Sequence, residues 1–260
     1  MPLTSPKNPL LREVRKAVHR GGLTEDGYCV AESFHLLEEA LRSDCVLGPI
    51  LVAASVRATV ERHVKGLPRA SLTAVADEVF AAISSTETTQ GVITLVRPPS
   101  WHLDHLFRGR SLVVVLDGVQ DPGNAGAILR AAEAFGATGA LFLKGSASPY
   151  NPKAVRASAG SVFRLPLAAN LDGDVARASF EQHRLDVYAA APGGSLLLAD
   201  ANLTRRCAVI IGSEGRGVSA KLRSAAVDLR IPTTAVESLN AAMAAGIVLY
   251  EARRQRVSHA

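Results

Sequence analysis

Residues 111–143 read SLVVVLDGVQDPGNAGAILRAAEAFGATGALFL, and this stretch decides the fold. Ser111 to Leu116 is an unbroken aliphatic run, the pattern of a strand buried on both faces. The turn DGVQDPGNAG follows, in which Pro122 and Gly123 force the chain round and Asn124 is suited to cap a helix. That helix is expected from about Asn124 to Phe135, with the next strand at Ala140 to Leu143. Strand, crossover helix and strand imply a parallel pair. Further strands are expected at Phe163–Leu167, Asp186–Ala190, Ala208–Ile211 and Asp228–Ile231. Helices separate most of them, and a last helix runs from about Leu239 to Arg254. The fold class is therefore α/β with a mainly parallel sheet.

Upstream the texture differs. Asn8 to Arg20 reads as a basic amphipathic helix with Leu11, Val14 and Val18 on one face. Helices follow at Ser33–Arg42, about Val56–Lys65 and Asp77–Ile83, with strands at Pro49–Ala53 and Gln90–Val96. The breaker-rich segment RPPSWHLDHLFRGRS then suits a solvated linker. Three parts result: a small α/β unit over 1–97, a linker over 98–110 and a larger domain over 111–260. His102, Asp104 and His105 lie in the linker, but no third metal ligand is suggested nearby, and no metal is expected.

Composition bounds the function classes. Of 260 residues, 48% are hydrophobic and 5% aromatic, so an aliphatic core is available. The net charge of +5 is compatible with a polyanionic partner such as RNA. Cys29, Cys45 and Cys207 show no CxxC spacing and read as reduced thiols. With no long apolar run and no apolar signal core, a cytoplasmic protein without a membrane partner is expected.

Parallel sheets bind ligands at the carboxyl ends of their strands. Three segments lie there. The first, DGVQDPGNAGAILR (117–130), offers Asn124, the small Gly126 and Arg130, which could reach a phosphate. It lacks GxGxxG spacing and has no GK[ST], which argues against an ordinary dinucleotide or Walker-type enzyme. The second, IIGSEGRG (210–217), holds Glu214 in a glycine-rich turn. The third opens at Ile231, IPTTAVESLNAAMAAG, where Ser238 and Asn240 precede small residues suited to close backbone packing. Each segment alone also reads as a capped helix or a flexible turn.

Together, in this order and spacing, VQDPGNAGAILRAAEAFGA, IIGSEGRGV and IPTTAVESLNAAMAAGIVLYE resemble the three motifs of the SpoU family of RNA ribose methyltransferases, within the SPOUT superfamily. NPKAVRASAGSVFRLP (151–166) resembles the family segment between the first two motifs. SPKNP and TETTQGVI resemble features of the ribosomal-protein-like RNA-binding domain that many members carry at their N-terminus.

The resemblance implies a C-terminal trefoil knot, S-adenosylmethionine as cofactor, a homodimer and methyl transfer to a ribose 2′-hydroxyl. Ribosomal RNA is the preferred substrate class and transfer RNA the alternative; a non-catalytic RNA-binding protein on the same fold is the rival. Carried over one at a time, Asn124, Arg130, Glu214, Ser238 and Asn240 are the catalytic candidates. Gly212, Ile231 and Leu239 are the cofactor-binding candidates. Arg12, Arg15, Lys16, Arg20, Lys153, Arg156 and Arg164 are placed to track RNA phosphates. The sequence departs from the family pattern at Ala241 and Ala242, where members often have Val and Ser, and at GYCVAES, where a glycine-containing segment is more usual. A ribose hydroxyl is a poor nucleophile until its proton is leaving. The site must therefore hold it and help remove that proton, with Arg130 clamping the neighbouring phosphate.

Overall fold

The computed structural model describes residues 1–43, 45–64 and 71–258. The chain forms two compact units, Met1–Ser100 with Tyr150–Arg164, and Trp101–Pro149 with Leu165–Ala260.

The first unit, labelled in chain order, contains α1 (Pro9–Arg20), β1 (Cys29–Glu32), α2 (Phe34–Leu41), β2 (Val46–Ala53), α3 (Arg57–His63), β3 (Leu72–Val75), α4 (Asp77–Ala81) and β4 (Val92–Arg97). Its sheet has the order β1-β4-β2-β3, antiparallel except for the parallel β2/β3 pair. Asn8 caps α1 through its side chain, and Gly21 ends the helix in the left-handed conformation. Leu11, Val14 and Ala17 are buried and pack with Phe80, Ile93 and Leu95. The helix expected to end at Lys65 ends its described course at His63; Lys65 lies outside the described residues. Tyr150–Arg164 adds α6 (Pro152–Ala157), capped by Asn151.

Glu32 organises the loop before β4. It is 3% exposed. Its carboxylate accepts hydrogen bonds from the Ser84, Ser85, Thr86 and Thr89 hydroxyls at 2.5 to 2.8 Å and from the Ser85 N–H at 2.7 Å. Burial alone would raise its pKa, but these donors together favour the anion more and hold it below the usual glutamate range. A depressed folded-state pKa contributes stability above the unfolded value and loses it as pH falls through the folded value. Glu32→Ala also leaves several donors unsatisfied, so we expect a loss of about 2–3 kcal/mol near neutral pH. Urea melts at neutral and acidic pH check both: the difference from wild type must shrink in acid. A difference constant with pH would remove the carboxylate's charge from the explanation.

The second unit contains β5 (Leu112–Asp117), α5 (Pro122–Ala134), β6 (Gly139–Leu143), β7 (Leu167–Leu171), α7 (Gly173–Gln182), β8 (Asp186–Ala190), β9 (Leu196–Leu197), β10 (Cys207–Gly212), α8 (Ala220–Arg223), β11 (Val227–Arg230) and α9 (Ala241–Val257). Its sheet is parallel throughout, in the order β7-β6-β5-β10-β8-β11-β9. Val113, Val115, Ala208 and Ile210 pack with Phe180 and Leu222 on one face. The alternate residues Val114, Leu116 and Val209 are also fully buried, so both faces are covered.

Two expectations change here. The strand read at Phe163–Leu167 is β7 at Leu167–Leu171, while Ser161–Phe163 forms a 3₁₀ turn in the first unit. Pro166 lacks an N–H and contributes only its carbonyl, to the Ala140 N–H, so the register starts one residue later. The stretch read as a solvated linker carries a 3₁₀ helix, Leu103–Phe107, whose Leu106 and Phe107 are buried in the second unit's core.

Candidate functional site

β5 and β10 are neighbours, and β11 follows beyond β8. In a parallel sheet this order brings their carboxyl-terminal loops to one edge. The loop after β5 leads into α5, whose cap is Asp121: its Oδ1 accepts from the Asn124 N–H at 2.8 Å. This corrects the expectation that Asn124 caps the helix. Pro122 fills the first helical position, and the Asn124 side chain is left for another use.

That use is a three-way network. Asn124 Nδ2 donates to Glu214 Oε1 at 2.8 Å, and Asn240 Nδ2 donates to the same oxygen at 3.1 Å. Asn240 Nδ2 also donates to Asn124 Oδ1 at 3.1 Å. Asn240 is the cap of α9, its Oδ1 accepting from the N–H groups of Ala242 and Met243. The cap fixes which end of the amide faces Glu214. Three residues from three distant segments thus form one polar cluster.

The turn carrying Glu214 is closed by paired backbone hydrogen bonds between Ser213 and Gly217. The Arg216 N–H donates to Ser213 Oγ, and the Ser219 N–H donates to Asp117 Oδ2 at 2.7 Å, tying this turn to the end of β5. Gly212 sits where a Cβ would fall 2.1 Å from the Gly217 carbonyl carbon. At the far end of α9, the Arg256 guanidinium donates to the carbonyls of Leu203, Arg110, Ser111 and Arg205. The helix is therefore fixed at both ends.

Two concavities meet at Glu214. A cleft of about 480 Å³ is lined by Gly212, Ile231, Ser238 and Leu239, together with Ala190–Gly193 and Leu229. A smaller hollow of about 280 Å³ is lined by Gly118, Asp121, Asn124, Glu214, Arg216 and Ala241. The cleft has the size of a small-molecule site. Its wall of small residues and turn backbone suits a ligand held mainly by main-chain groups. The structure places Gly212, Ile231 and Leu239 together in this cleft, and Asn124, Glu214 and Asn240 in one network. Ser238 lines the cleft beside them. Arg130 stands apart: it is exposed on α5 and lines neither concavity.

Sequence reasoning missed the loop after β8. Ala191-Pro192-Gly193-Gly194 directly follows a strand, which was the available signal. A Cβ on Gly194 would lie 2.7 Å from the Asp228 carbonyl oxygen, so this loop packs against β11 through bare backbone. Burial pushes the Cys207 thiol up to about 11, and it is not part of the cleft.

The charged residues of the first unit sort into two groups. Arg12 and Arg15 are exposed on α1, while Lys16 pairs with Glu13 and Glu25 and Arg20 with Glu13. Arg156 Nη1 donates to Ser85 Oγ, and Arg164 Nη1 pairs with Glu39 at 2.6 Å. Lys153 lies within capped α6. Among the described residues no group of three or more His, Cys, Asp or Glu is placed to hold a metal ion, and no helix is long and apolar enough to cross a membrane.

The cleft and the polar cluster lie together at the carboxyl edge of a parallel α/β sheet, the place where such sheets bind small-molecule ligands. The chain belongs to the SpoU rRNA methylase family, whose profile matches residues 111–250. An MRM3-like substrate binding domain matches residues 8–94. The chain is 31% identical to the 23S rRNA (guanosine(2553)-2′-O)-methyltransferase RlmP of Bacillus subtilis, over 96% of this chain and 98% of that protein. It is 33% identical to slr1673, an uncharacterized tRNA/rRNA methyltransferase of Synechocystis, over 98% of this chain and 94% of that protein. Among solved structures, the SpoU methyltransferase AviRb of Streptomyces viridochromogenes in complex with AdoMet matches with a TM-score of 0.87. It is 26% identical and the match covers 97% of this chain and 99% of that one.

Proposed function

We propose that the chain transfers a methyl group from S-adenosylmethionine to a ribose 2′-hydroxyl of ribosomal RNA, as a homodimer in the cytoplasm. The observation that carries this reading is the Asn124–Glu214–Asn240 network at the junction of the cleft and the hollow. S-adenosylmethionine, when bound, supplies an already activated methyl group, so the protein's task is placement and proton handling.

Gly212, Ile231 and Leu239 hold the cofactor through the cleft wall. Asn124 and Asn240 orient the target ribose beside Glu214, with Ser238 acting from the cleft wall. Glu214, fixed by two amides through Oε1, keeps Oε2 for a substrate hydroxyl. Arg130 holds a phosphate of the substrate, with its exposed place on α5 fitting a role completed by the second subunit. Met243 and Tyr250 are exposed on α9, and Tyr250 packs edge-to-face on Phe135, the C-cap of α5. This apolar face supports the homodimer. The knot is part of the proposal, supported by the family and by the return of α9 alongside α5.

The substrate-binding part spans 1–97, followed by a connector over 98–110 and the transferase domain over 111–260. Arg12, Arg15, Lys16 and Arg20 on α1, with Lys153, Arg156 and Arg164, form the RNA footprint. Removing Arg12 and Arg15 together is expected to lower the salt slope of RNA binding by about two, one for each phosphate contact. Filter binding across a salt series measures this, and an unchanged slope excludes both residues from the footprint.

The test of the function is transfer from labelled S-adenosylmethionine to bacterial RNA, followed by digestion to nucleosides. Label in a 2′-O-methylnucleoside from large-subunit ribosomal RNA is expected. Label on a base overturns the ribose assignment, and label confined to transfer RNA overturns the substrate class.

A further inference from the structure

We infer that Arg216 is a substrate-contacting residue that binds a backbone phosphate flanking the target ribose; this rests on the RNA methyltransferase reading above. Arg216 lies at the tip of the turn that carries Glu214 and lines both the cleft and the hollow. Its backbone is committed, through the Ser213 Oγ hydrogen bond. Its side chain is exposed and takes no acceptor among the described residues. The cleft's other arginine, Arg223, is bound on two nitrogens by Asp228 at 2.5 to 2.9 Å and is spent on that ion pair.

The electrostatics call for a cation here. The hollow is lined by the carboxylates Asp121 and Glu214, and Arg216 is the one basic residue in its wall among the described residues. A ribose whose 2′-hydroxyl reaches Asn124 and Glu214 brings its vicinal phosphate to the same place. Two carboxylates would repel that phosphate unless a positive charge lies alongside. A guanidinium suits the task, since it offers paired donors to phosphate oxygens. Arg216 is also two residues from Glu214, so the phosphate it holds fixes the distance between the ribose and the carboxylate.

The test compares Arg216→Ala and Arg216→Lys with wild type in the full-length protein, using unmodified 23S ribosomal RNA as the probe. Arg216→Ala is expected to raise KM for RNA about tenfold or more, the loss of one charge-assisted contact, with a smaller change in kcat. The salt slope of RNA binding should fall by about one, and Arg216→Lys should restore the slope but only part of the KM. Binding of S-adenosylmethionine without RNA, measured by calorimetry, should be unchanged. An unchanged RNA KM and salt slope overturn the assignment. So does a loss confined to S-adenosylmethionine affinity, which would put the guanidinium on the cofactor's carboxylate. If wild type transfers no methyl group to RNA, the parent reading fails, while the binding slope still decides whether Arg216 touches a phosphate.

Discussion

Glu214→Ala is expected to lower the turnover of methyl transfer by about two to three orders of magnitude, the loss typical of removing one preorganised polar group from a reaction centre. Glu214 Oε1 is the acceptor shared by the Asn124 and Asn240 amides, so its removal frees both at once. Stability should hardly change, because Glu214 is exposed and surface substitutions cost within about 0.5 kcal/mol. Glu214→Gln separates placement from charge: its carbonyl oxygen can still accept from both amides, while the anion is gone. The three residues form a closed cluster, so their effects should not add. Asn124→Ala in the Glu214→Ala background should cost far less than Asn124→Ala alone. Single-turnover rates of the four proteins measure this, and strictly multiplicative losses would mean that the network is not a functional unit.

The sequence carried the alternation of the second unit well, because strands buried on both faces leave long aliphatic runs. Asp186–Ala190 is read with its observed bounds, and the βαβ unit after Ser111 stands as expected. What was hidden has physical causes. β1 and β3 are four residues each, too short to show a period, and β1 is buried at every position. Phe163 is buried in a 3₁₀ turn, so its apolar character does not mark a strand. The cap of α5 was legible and misread: a proline at the first helical position makes the preceding Asp121 the cap. With Asp121 as the cap, Asn124 Oδ1 is free to accept from Asn240 while Nδ2 donates to Glu214. The network itself was beyond the sequence, since it joins residues 90 and 26 positions apart through loops of no regular period. Arg130 shows the opposite case: a residue prominent in the motif that, within one chain, lines neither concavity.

Gly212→Ala is the second substitution with a large expected effect, and it acts on the backbone. An added Cβ would lie 2.1 Å from the Gly217 carbonyl carbon and 2.3 Å from the Val218 nitrogen. Neither is the end of a flexible side chain, so the turn from Ser213 to Gly217 must open, and its paired hydrogen bonds with it. Overpacking against fixed backbone costs about 3 kcal/mol, which for a chain of this size lowers Tm by about 6–12 °C. Because Gly212 also lines the cleft, S-adenosylmethionine affinity should fall together with stability. Two neighbouring glycines serve as controls within the same turn. A Cβ on Gly215 meets nothing within 4 Å and no left-handed φ constrains it, so Gly215→Ala should leave Tm and cofactor affinity close to wild type. Gly217 also faces open space but holds φ at +66°, so Gly217→Ala should cost about 1 kcal/mol through backbone strain alone. The expected order of damage is therefore Gly212, then Gly217, then Gly215. Calorimetric binding of S-adenosylmethionine and thermal melts of the three variants test it. Wild-type affinity in Gly212→Ala would show that the turn can relax without disturbing the cleft, and would remove the close approach of Gly212 to Gly217 from the account of cofactor binding.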